Sequence, residues 1–137
     1  MITHLRILGA LFVLLGFAHA GFGRRLNWKS DLAKLSLVNR QIFQVHTFYI
    51  ALLLVMLGYL SLFYAEALLE PGPLSRAILG GMTLLWASRL YAQWFVYDKS
   101  LWRGDRFNTA VHYFFTLFWT YAAVVDGLAL LRVVSRR

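Results

Sequence analysis

The chain has 137 residues, enough for one domain, and 60% of them are hydrophobic, a share well above that of soluble globular domains. Its 14 Lys and Arg against 6 Asp and Glu give a net charge of +8, yet the charge lies between apolar runs, a pattern suited to anionic lipid head groups and not to nucleic acid. The absence of cysteine excludes disulfides, thiolate metal sites, iron–sulfur clusters and cysteine nucleophiles.

Crossing ~30 Å of hydrocarbon takes about 20 helical residues. The uncharged runs predict four such helices, at about 5–23, 41–66, 75–97 and 107–131. The expected fold is all-α: an integral membrane four-helix antiparallel bundle forming a single transmembrane domain over residues 1–137, with a short interfacial helix between helices 1 and 2.

The first span, Ile7 to Gly23, is short and ends near Ala18-His19-Ala20, which resembles a signal-peptidase site. Arg24 and Arg25 follow almost at once and oppose export of what lies beyond, so the segment is expected to be retained. In the connection "RRLNWKSDLAKLSLVNR", Leu32, Leu35, Val38 and Ile42 recur at helical spacing behind a Ser30 or Asp31 cap. That pattern predicts an interfacial helix, with Trp28 there and Trp102 later as belt residues at one membrane surface. The second span, Gln41 to Ala65, is the clearest, and Pro71-Gly72-Pro73 then force a tight turn. The third span is full length only if it runs through Arg89, and the fourth, from Phe107, continues past Asp126, which is expected to reach the outer interface. Gly16 with Ala20, Ala77 with Gly81, and Ala123 with Gly127 are small pairs that let helix backbones approach closely.

Arg24, Arg25, Lys29, Lys34, Arg40, Lys99, Arg103 and Arg106 fall on one side of these spans, against Arg6, Arg76, Arg132, Arg136 and Arg137 on the other. The richer side is expected to be cytoplasmic, with both termini outside, in a bacterial-type inner or plasma membrane.

Polar groups inside the spans then fall at one depth. His19, His46, Gln93 and His112 each lie four or five residues inside a helix end, about 6–8 Å below the more basic surface. Arg89 shares a face with Gln93, and Asn108, His112, Thr116 and Thr120 form one polar stripe. Three imidazoles from three helices are the ligand set of a Zn, Cu or Fe site, and two on facing helices suit a haem iron. The leading expectation is therefore a metal or haem at His19, His46 and His112, serving redox chemistry or electron transfer. Arg89, Gln93 and Asn108 stand as cofactor-binding residues, and Asp98 and Asp105 would orient the imidazoles.

Two other readings stand beside it. One is a non-catalytic scaffold subunit packing against other membrane subunits or a copy of itself; the other binds a lipid- or quinone-type amphiphile through Arg89 and Gln93. Transport and hydrolysis find little support, since the chain has no inverted halves and no serine in a nucleophile context beside a histidine.

Overall fold

The structure, a computed structural model, describes residues 1–136, and all regular structure among them is helical. Helix α1 spans Ile2–Arg25, α2 Trp28–Ala33, α3 Leu37–Phe63, α4 Ala65–Leu68, α5 Pro73–Phe95 and α6 Arg106–Ser135, with a 3-10 turn at Lys99–Leu101. Three of these, α1, α3 and α6, are long and apolar enough to cross a membrane. Helix α5 is 23 residues long but is not one of the three, because Arg76, Arg89 and Gln93 dilute its apolar run. Leu14, Phe17, Leu84 and Leu117 point outward with two thirds or more of their surface uncovered, a distribution that suits hydrocarbon and not water.

The chain divides into two compact units, one Thr3–Ala65 and the other made of Met1–Ile2 together with the described chain from Glu66 onward. In the first unit α1 and α3 run antiparallel at close range. A Cβ added at Gly9 would lie 2.6 Å from both the Gly58 carbonyl oxygen and the Leu62 nitrogen, and one at Gly16 would meet Val55 and the Ala51 carbonyl. Glycine is required at Gly9 and Gly58 because two backbones touch there, which is how transmembrane helices gain dispersion energy without a hydrophobic drive between them.

The link between α1 and α3 differs from the sequence expectation. Helix α2 begins at Trp28 behind Asn27, which adopts a left-handed conformation at φ 53°, so Ser30 and Asp31 lie inside the helix instead of capping it. Ser36 is the residue that caps, its hydroxyl accepting from the Asn39 N–H and starting α3 four residues before Gln41. Leu32 and Leu35 therefore belong to a different segment from Val38 and Ile42. The Trp28 ring rests edge-on against Phe43 at 4.9 Å.

In the second unit α5 and α6 form an antiparallel pair, joined midway by the stacked indoles of Trp86 and Trp119, 5.5 Å apart and 15° from parallel. Buried Trp119, Ala122, Asp126, Ala129 and Val133 follow one face of α6 at intervals of three and four. Asp126 is fully buried, with Trp86 as a neighbour. Its side chain is thus enclosed by protein, and its helix continues nine residues beyond it to Ser135. Of the small pairs, a Cβ added at Gly127 would meet the Thr83 methyl at 3.6 Å, whereas one at Gly81 would face open space.

Candidate functional site

The polar residues gather where α5 ends and α6 begins. Helix α5 closes at Val96, and Asp98 turns the chain by accepting the Ser100 N–H at 2.7 Å. That backbone hydrogen bond holds the Asp98 carboxyl below its ordinary pKa of 3.8, since it stabilises the ionised form. Gly104, at φ 88°, takes the left-handed conformation that lets the loop reverse. Asp105 then caps α6 by accepting the Asn108 N–H at 2.9 Å. Asp98 and Asp105 are thus used on backbone amides and not on imidazoles.

The loop is pinned over the fourth histidine. Thr109 donates its hydroxyl to the Trp102 carbonyl at 2.6 Å, and the Trp102 indole lies flat on the His112 imidazole, 3.9 Å between centroids and 10° between planes. Gln93 on α5 meets His112 Nδ1 through Nε2 at 2.9 Å. Arg89 reaches Gln93 Oε1 through Nη1 and the Tyr97 hydroxyl through Nη2, both at 3.4 Å. Its guanidinium also sits over the rings of Trp119 at 5.0 Å and Tyr97 at 5.4 Å, so aromatic faces stabilise its charge. Arg89, Gln93 and His112 form a continuous row.

Beside this row lies a groove of about 470 Å³ lined by Trp94, Lys99, Trp102, Arg103, Gly104, Thr109, His112, Tyr113 and Thr116. A shallower hollow of about 420 Å³ adjoins it around Gly104, Asp105, Arg106 and Tyr113. The groove combines aromatic walls with two cations. Arg89 and Gln93 do not line it and act one layer back, while Asn108 sits exposed in the first turn of α6 and lines neither hollow.

The other two expected ligands, His19 and His46, belong to the Thr3–Ala65 unit. His19 Nδ1 donates to the Leu15 carbonyl and His46 Nδ1 to the Ile42 carbonyl, each at 2.8 Å and one turn back on its own helix. His19 leans against Phe22 and His46 is exposed. Among the described residues no group of three or more histidines and carboxylates is placed to hold a metal ion.

Sequence reasoning singled out Arg89, Gln93 and His112 for the site, gave Trp102, Lys99 and Arg103 only a place at the membrane surface, and passed over Thr109. The signal for the loop was present in Asp98-Lys99-Ser100 and Gly104-Asp105, short polar residues and a glycine of the kind that turns and helix caps require. No family model matches the chain, and no curated protein or solved structure matches it.

Proposed function

We propose that this is an integral membrane protein that binds an amphiphile with an anionic head group, a lipid in the first instance, at the loop between α5 and α6. In this reading α5 crosses the membrane as a fourth span. The observation that carries the proposal is the groove itself, whose lining combines the charges of Lys99 and Arg103, the apolar surfaces of Trp94, Trp102 and Tyr113, and the imidazole of His112. An amphiphile needs that combination, and neither a free inorganic anion nor a purely apolar partner would use both halves. Arg89 and Gln93 contribute through His112 rather than by touching the head group.

The test is equilibrium binding of the detergent-purified protein to a fluorescent anionic phospholipid and to its zwitterionic counterpart. Wild type should prefer the anionic lipid, and K99A/R103A should lose on the order of tenfold or more of that preference, since each interfacial cation contributes about 1 kcal/mol. R76A, which removes a cation from the opposite end of α5, should leave it unchanged. Equal losses in K99A/R103A and R76A, or no anionic preference in wild type, would refute the reading.

A further inference from the structure

The His112 ring is held by neighbours on one face and at one nitrogen. Trp102 covers one face, Gln93 occupies Nδ1, and Nε2, the second nitrogen, has no hydrogen bond among the described residues and is not a buried atom. Which nitrogen carries the proton follows from the next residue back. Arg89 can only donate, so the Gln93 atom facing it at 3.4 Å must be the carbonyl oxygen. The Gln93 NH₂ therefore faces His112, and a donor there requires Nδ1 to be the acceptor. Turning the amide over would set its NH₂ against the guanidinium N–H groups.

We infer that Arg89 and Gln93 are positioning residues that lock His112 as the Nε2–H tautomer and so present a single hydrogen-bond donor to the groove, where it serves an acceptor oxygen of the ligand head group. The ligand half of this inference rests on the amphiphile reading; the tautomer half does not. Lys99 and Arg103 attract any anion, whereas one N–H held in a fixed direction selects a head group that places an unprotonated oxygen beside the Trp102–His112 stack. A carboxylate or a phosphate ester, in anionic and zwitterionic phospholipids alike, has such an oxygen, and a purely cationic amphiphile does not. The same tautomer leaves His112 with no free lone pair, because Nδ1 accepts from Gln93 and Nε2 is protonated. His19 and His46, which donate from Nδ1 to carbonyls of their own helices, are of the opposite tautomer.

Nitrogen-15 NMR of histidine-labelled protein in nanodiscs reads this directly. In wild type His112 should show a protonated Nε2 and an unprotonated Nδ1, opposite to His19 and His46. Q93E should reverse the His112 pattern, since a carboxylate accepts from Nδ1–H, and R89L should give a mixture by freeing the amide to turn. Q93L, which adds no charge, should weaken binding of the anionic phospholipid about tenfold, the contribution of one oriented hydrogen bond to a charged group, while leaving the preference over zwitterionic lipid in place. A wild-type His112 protonated at Nδ1, or a tautomer unmoved by both Q93E and R89L, would overturn the inference. The wild-type pattern with no lipid binding would sink the ligand assignment alone and leave the relay standing.

Discussion

Gly9 and Gly58 place α1 and α3 in backbone contact, since an added Cβ on either lies under 3 Å from the other helix. Gly9→Leu should therefore push the pair apart and destabilise the protein by about 1–3 kcal/mol, the range for forced overpacking, read as a lower thermal midpoint in detergent. Gly81→Ala, whose new methyl meets open space, should leave that midpoint within a degree or two or raise it slightly. A Gly9→Leu midpoint equal to wild type would show that the two helices do not depend on this contact. The pair was not legible in the sequence for a definite reason. Small residues spaced by four mark a helix face, but only the fold reveals that the face of Gly9 meets that of Gly58, 49 residues later. Gly16 was recognised because Ala20 repeats the pattern within one helix, and Gly81 shows that the same pattern arises where nothing packs.

At the scale of elements, short polar side chains decide where helices start. Asp105 accepting from Asn108 fixes the first turn of α6 and with it the height of His112. Asp105→Ala should cost about 1 kcal/mol and loosen the Trp102–His112 stack, visible as a change in tryptophan fluorescence; an unchanged spectrum would argue against the cap as the organiser of the loop. Asp98 does the same for the preceding turn. Its folded pKa is depressed, so its contribution is present above the ordinary value of 3.8 and is lost as pH falls through the lower folded value. NMR titration of the Asp98 carboxyl carbon should give a midpoint below 3.8, and a midpoint at or above it would contradict the Ser100 hydrogen bond. The three long apolar helices α1, α3 and α6 were legible from run length, the quantity bilayer thickness sets, while α5 was read as a helix only by continuing its run through Arg89. The connection between the first two was misread in detail. Apolar spacing across Leu32, Leu35, Val38 and Ile42 is a sum over many weak preferences, and one left-handed Asn27 and one capping Ser36 are enough to cut it into pieces.

At the scale of the whole molecule, the division of basic residues predicts topology. Arg24 and Arg25 close α1, Lys29 and Lys34 follow it, Lys99 and Arg103 follow α5, and Arg106 opens α6, so both termini should be non-cytoplasmic in a four-span chain. Arg137, counted with the opposite side, lies outside the described residues. A reporter fused after the last residue should be active only in its non-cytoplasmic form, and a cytoplasmic signal would reverse the orientation. Helix rise led to the expectation of a shared depth for His19, His46, Gln93 and His112, but an expected depth says nothing about where ring nitrogens are committed. His19 and His46 spend one nitrogen on their own helices, whereas His112 joins a row running back through Gln93 to Arg89. The central claim is that this row serves a groove for an anionic amphiphile. The most direct measurement is photolabelling in nanodiscs with an anionic phospholipid whose reactive group sits next to the head group, followed by mass spectrometric mapping. The account predicts labels on Trp94, Trp102, Tyr113 and their neighbours in the α5–α6 connection, displaced by excess unlabelled anionic lipid and not by zwitterionic lipid. Labels distributed along α1 and α3 and indifferent to both competitors would contradict it.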